Sequence, residues 1–217
     1  MTVRNRGALA AMAAGVAALT VATLVACGAQ PAGTVGAEEA NTLASVPSAT
    51  AGAPSVPVTA GELPVDPEII PPVRLVIPKI DVTATVNAVG INGRTNEFEV
   101  PPSVDEIGWY RYGPGLETRA GSVVVAGHVD SARQGRGAFF RLGELNQGDT
   151  LTATGSDGQT RRYRVVAREE YRKTRIPLDR YFARDGKPRL TLITCGGPFD
   201  AKARKYRDNI VVTAVPA

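Results

Sequence analysis

The stretch "TLITCGGPFD", Thr191 to Asp200, decides how the rest of the chain is read. It opens as a short apolar run with a β-branched residue at almost every step, the texture of a strand buried on both faces. It then stops on a cysteine, with two glycines and a proline behind it. The chain of 217 residues has only two cysteines, Cys27 and Cys195, and a single histidine, His128. A scarce, nucleophilic side chain at a strand tip points to a site built on the rim of a sheet.

Other segments from about residue 71 to 217 have the same texture. "VRLVIPKI" (73–80) and "VTATVNAVGI" (82–91) run or alternate apolar, and Pro78 puts the first at an edge or an end. "GSVVVAGH" (121–128), "RLTLITC" (189–195) and "NIVVTAV" (209–215) are buried strands by pattern. Residues 149–172 form a hairpin whose tight turn is Asp157-Gly158. Only "GAFFRLGEL" (137–145) and "IPLDRYFARDG" (176–186) suggest short helical turns. Seven or eight short strands with turn signals between them predict an all-β domain, barrel or sandwich. There is no internal repeat.

Composition sets the context. The formal net charge is +4, the hydrophobic share 43% and the charged share 21%, ordinary for a globular domain. A mild basic excess suits work beside anionic phospholipid or cell wall. No nucleic-acid recognition motif accompanies it, so nucleic acid is not an expected partner.

The N-terminal third is different. Arg4 and Arg6 precede an apolar and small-residue run from Gly7 to Ala26. This is the layout of an export signal, and the run is just long enough to span a bilayer. The arginines would hold the N-terminus in the cytoplasm and place the rest outside. "LVAC", Leu24 to Cys27, resembles a bacterial lipoprotein box. Residues 1–27 therefore read as a signal peptide with lipidation at Cys27, or as a retained transmembrane anchor. Either leaves the protein on the outer face of the plasma membrane and argues against a Cys27–Cys195 disulfide. Residues 28–70 are rich in Ala, Gly, Pro, Ser and Thr, with no apolar period and no aromatic residue. They read as a disordered tether with a reach of roughly 35 Å.

His128 and Cys195 each follow a buried strand and each stand beside glycine. A thiolate is the reactive form of cysteine, and an imidazole can take the thiol proton and later protonate a leaving amine. A reacting carbonyl needs donors for its developing oxyanion. Gly196 and Gly197 would leave backbone open to substrate. Arg207, just before the last buried strand, would supply a fixed positive charge. Arg204, three residues earlier, competes for that role.

Taken together, "VVVAGH", "TLITC" and "YRDNIVV" resemble the sortase family, the cysteine transpeptidases of Gram-positive cell surfaces. "GPGLETRAGSVVVAGHVD" is similar to the family's approach to its histidine, and "FFRLGELNQGDTL" to the F-x-x-L-x-x-L-x-x-GD segment after it. The GG after Cys195 and the short domain resemble class F sortases of actinobacteria. The resemblance implies a closed eight-stranded β-barrel over residues 71–217. It also implies that Cys195 attacks the Thr–Gly bond of an LPXTG-like sorting signal to form a thioester. His128 would be general acid/base and Arg207 the oxyanion or substrate contact. Thr194 would help orient substrate, with Gly196 beside it. The partners would be sorting-signal-bearing proteins and an amine acceptor such as the lipid II cross-link peptide. No cofactor and no metal are expected, because no acidic set matches the calcium site of class A members.

Rival readings make separable predictions. A cysteine hydrolase would share the nucleophile but pass the thioester to water. An L,D-transpeptidase expects His two residues before Cys, and papain-like enzymes place Cys before His; neither order occurs here. A lipoprotein binding module with a structural cysteine would put Cys195 and His128 on opposite faces.

Overall fold

Residues 189–200 form one long strand at the centre of the sheet. The structure, a computed structural model, describes residues 33–45, 69–94 and 97–217. The predicted lipobox, Cys27 and the export or anchor segment lie outside the described residues. Among the described residues, no helix is long and apolar enough to cross a membrane.

In chain order the elements are α1 (Ala37–Ala44), β1 (Pro72–Ile77), β2 (Val82–Val89), β3 (Ile107–Tyr110), β4 (Ser122–Gly127), β5 (Asp130–Ser131), β6 (Gly135–Arg136), β7 (Thr150–Gly155), β8 (Thr160–Arg172), α2 (Leu178–Tyr181), β9 (Arg189–Asp200) and β10 (Lys205–Pro216). Two single turns of 3₁₀ helix, Pro78–Ile80 and Leu142–Glu144, complete them. Eight strands close into a barrel in the order β1-β2-β3-β4-β9-β10-β8-β7, while β5 and β6 pair separately. The all-β expectation holds, and of barrel or sandwich it is the closed barrel. Closure leaves no edge, so Pro78 marks the end of β1, which is paired on both sides.

The barrel fills from alternate positions on each strand. Leu75 and Ile77 on β1, Val123 and Val125 on β4, Leu190 and Leu192 on β9, and Val212 and Ala214 on β10 share one core with Phe139, Leu142 and Leu145. Burying each of these Leu, Ile or Phe side chains contributes roughly 1.5–3 kcal/mol. β4 and β9 are also covered on their outer face, which is why both read as continuous apolar runs. Between them, Ser122 Oγ and Thr191 Oγ1 share a buried hydrogen bond of 2.7 Å.

The tether expectation is corrected for residues 33–45, which are ordered against β8. Val35 exchanges backbone hydrogen bonds with Arg168 at 2.8 and 2.9 Å, and the Arg168 guanidinium donates to the Gly33 carbonyl. Ala40 and Leu43, three apart on α1, are buried, and the Leu43 carbonyl accepts from Lys187 N. Gly36 turns the chain with φ +71°; a Cβ there would sit 2.1 Å from the Val166 carbonyl oxygen. A two-turn helix carries too few apolar positions to show a period, and it forms because tertiary packing supports it. The other residues of 28–70 up to Glu68 lie outside the described residues.

Candidate active site

The parallel pairing of β4 with β9 builds the site. Their register runs from Ser122↔Arg189 to Ala126↔Ile193. Carried two steps further, this register would bring Gly127 level with Thr194 and His128 level with Cys195. Thr194 Oγ1 donates to the Gly127 carbonyl at 2.8 Å, so the two strands stay joined up to the residues before Cys195 and His128. Val125 and Leu192 point into the core, hence His128 and Cys195 both project from the outer face by strand alternation. On the other side of β9, Cys195 pairs with Asn209 of β10, which pairs in turn with Tyr171 of β8. Cys195, Asn209 and Tyr171 therefore form one row across three strands, and His128 directly follows the next strand, β4. Cys195 is half-buried, with a free thiol.

His128 is oriented by backbone. Its Nε2 lies 2.9 Å from the Pro101 carbonyl oxygen. A carbonyl only accepts, so Nε2 carries the proton and Nδ1 is the basic nitrogen of the neutral ring. The Pro101 loop is itself pinned: Gln134 accepts from Val104 N and donates to the Pro102 carbonyl, both at 3.1 Å. Pro101 and Gln134 gave no signal in the sequence, since one acts through its carbonyl and the other belongs to a different loop.

One further side chain meets the Cys195 thiol. Lys173, immediately after β8, donates its Nζ–H to Cys195 Sγ at 3.4 Å. Its backbone N–H is fixed by the Arg207 carbonyl at 3.1 Å. Tyr206 donates its hydroxyl to Asp130 Oδ2, joining β10 to the segment that follows His128. That bond, with burial and the nearby charges of Asp130 and Cys195, pushes the Tyr206 phenol up to about 12. Neither Lys173 nor the Asp130–Tyr206 pair was legible in the sequence, because each partner comes from a distant strand.

Arg207 lies on β10 two residues before Asn209, at an irregularity in the ladder with β9. Its guanidinium is 52% exposed and pairs with Asp200 at 3.2 Å. Asp200 is held below the usual carboxylate range, first by the Ala203 N–H and then by Arg207. Arg204 sits in the preceding turn with φ +52°, exposed. Of the two arginines, Arg207 is the one on β10, and its partner is Asp200.

Thr194 and the glycines, expected to contact substrate, each have a structural part in the fold. Thr194 is only 4% exposed and spends its hydroxyl on β4. Gly196 faces inward, where a Cβ would meet Ile210 Cγ1 at 2.7 Å. Gly197 has φ +69°, and a Cβ there would fall 2.0 Å from Asp208 Oδ2. Packing accounts for both glycines. Among the described residues, no group of three or more His, Cys, Asp or Glu is arranged to hold a metal ion.

The outer face beside this row is stiffened by a buried polar knot. Glu169 of β8 accepts from Tyr171, Tyr181 and Arg180 at 2.7, 2.8 and 2.7 Å. It clamps α2 against the sheet. Burial is the main reason the Tyr181 phenol is pushed far up.

Comparison with known proteins agrees with this fold. Residues 75–217 match the sortase domain model. Among solved structures, a lid mutant of sortase A from Corynebacterium diphtheriae superposes with TM-score 0.50 at 20% identity, covering 68% of this chain and 71% of that one. The pilus-related sortase C of Group B Streptococcus gives TM-score 0.52 at 14% identity, covering 69% and 66%. Sortase C1 of Streptococcus agalactiae gives 0.50 at 16%, covering 66% of each. No curated protein matches the sequence. The family match spans most of the chain and all of the barrel but the first residues of β1: the chain belongs to the sortase family.

Proposed function

We propose that this protein is an extracytoplasmic cysteine transpeptidase that cleaves an LPXTG-like sorting signal and transfers the severed protein to a cell-wall amine. The observation that supports the reading is the parallel β4/β9 pairing, because the domain's only cysteine lies on β9 and the chain's only histidine directly follows β4. His128 Nδ1 takes the thiol proton, and Cys195 Sγ attacks the threonine carbonyl. The Thr–Gly bond breaks, the imidazolium protonates the departing glycine amine, and a thioester remains on Sγ. An incoming amine then loses its proton to His128 and displaces the thiolate. Arg207 steadies the oxyanion; its exposed, solvent-screened pairing with Asp200 is weak enough to exchange for substrate.

The sortase family as a whole acts on sorting-signal proteins and amine acceptors outside the cytoplasm. For this chain, the class F reading rests on the GG after Cys195 and the compact domain. The anchor is residues 1–27, through a retained helix or a lipid on Cys27, with the lipid II cross-link peptide as acceptor. The full protein, incubated with an LPXTG-type peptide and a small amine and followed by mass spectrometry, should cut at Thr–Gly and yield an amine-capped product. Release of free acid alone, at every amine concentration, would favour the hydrolase reading instead.

A further inference from the structure

The contact between Lys173 and Cys195 has no place in the mechanism above. We propose that Lys173 is a catalytic residue: its ammonium is the standing counter-charge of the Cys195 thiolate. The proposal deepens the reading of Cys195 as nucleophile and rests on it.

Three observations support it. Lys173 is the side chain that donates directly to Sγ, at 3.4 Å. Its placement is built, since the Arg207 carbonyl fixes its backbone at the end of the β8/β10 ladder. The residue is half-buried, so its charge is only partly screened. Arg207, the other cation nearby, is turned to Asp200.

The charged and titratable groups around the thiol can be named from each side. Lys173 and Tyr171 come from β8 and its exit. Tyr206, Arg207 with Asp200, and Asp208 come from the β9–β10 hairpin and β10. His128 and Asp130 come from the exit of β4. The carboxylates are engaged elsewhere: Asp130 with Tyr206, Asp200 with Arg207, and Asp208 beside Arg172 at 3.5 Å. Lys173 is thus the cation in contact with sulfur. When the thiol gives its proton to His128 Nδ1, the negative charge forms against a cation already in place. Lys173 keeps its proton throughout, and no bond to nitrogen is made or broken. An opposite charge in contact with an acid favours its ionised form, and the thiolate is the reactive form of cysteine.

The test is alkylation of the full-length protein by iodoacetamide across a pH series, with the Cys195 peptide quantified by mass spectrometry so that Cys27 does not interfere. Lys173→Met should slow alkylation of Cys195 about tenfold near neutral pH and move the rise of the profile to higher pH, with the melting temperature unchanged. Lys173→Arg should restore most of the wild-type profile. Wild-type and Lys173→Met profiles that coincide would overturn the proposal. So would equal slowing by Met and Arg, which marks a loss of shape and not of charge. Because the readout is alkylation, it stands apart from peptide cleavage: a failure of the transpeptidase reading would show as wild-type cleavage by Cys195→Ala, whatever the alkylation result.

Discussion

Thr194 Oγ1 donates to the Gly127 carbonyl at 2.8 Å, and the two residues lie one position before Cys195 and His128, the proposed catalytic pair. This hydrogen bond holds β9 against β4 immediately before Cys195 and His128. Thr194→Val keeps the shape and removes the donor. It should cost about 1–3 kcal/mol in denaturant unfolding. It should also lower kcat/KM for peptide cleavage by about tenfold, since small misplacements of reacting groups are costly. Thr194→Ser should recover both. Unchanged activity in Thr194→Val would remove the positioning role.

Gly196 is required by packing against Ile210. Gly196→Ala should destabilise the domain by about 1–3 kcal/mol, because a Cβ would sit 2.7 Å from Ile210 Cγ1. Gly196→Ala combined with Ile210→Ala should lose less than the sum of the two single changes, as expected for residues that share one space. Strict additivity in urea unfolding would argue against the clash.

Much of this architecture was visible in the amino-acid sequence. The continuous apolar runs at 121–127 and 189–195 announced strands buried on both faces, and the Asp157-Gly158 turn fixed the β7–β8 hairpin. His128 and Cys195 stood out because their residue types are so scarce. What was hidden depends on pairing between distant elements. The Pro101 carbonyl acts through backbone that any residue provides. Lys173 looked like one more basic residue until the β8/β10 ladder carried it to the sulfur. The sequence did not show that a Cβ at Gly196 or Gly197 would run into Ile210 or Asp208, which come from the neighbouring strand. α1 rests on two buried side chains, Ala40 and Leu43, too few to mark a helix within a stretch rich in small and polar residues.

Tyr206 should titrate late. Its hydroxyl is held by Asp130, which pushes it up to about 12 in the fold, against an ordinary value near 10 in the unfolded chain. Between those values the folded state keeps a proton that the unfolded state has lost. The stabilisation is therefore complete below about pH 10 and disappears as pH rises towards 12. Thermal unfolding from pH 9 to 12 should fall more steeply in the wild type than in Tyr206→Phe. Parallel curves would contradict the Asp130 bond.

Glu169 is 3% exposed and holds Arg180, Tyr171 and Tyr181 together. Glu169→Ala leaves a largely buried guanidinium without its partner and should cost about 3–5 kcal/mol. α2 should become the first part of the domain to exchange its amide hydrogens. A loss under 1 kcal/mol in chemical unfolding would show that the knot is not what clamps α2.

The central claim is that Cys195 carries the severed peptide as a thioester. Intact-mass and peptide-mapping spectrometry of the full protein, quenched in acid shortly after mixing with an LPXTG-type peptide, tests it most directly. An adduct equal to the fragment ending in threonine should appear on the Cys195 peptide, discharge with hydroxylamine, and be absent from Cys195→Ala. Peptide cleavage with no adduct on Cys195, or cleavage that survives Cys195→Ala, would contradict the account.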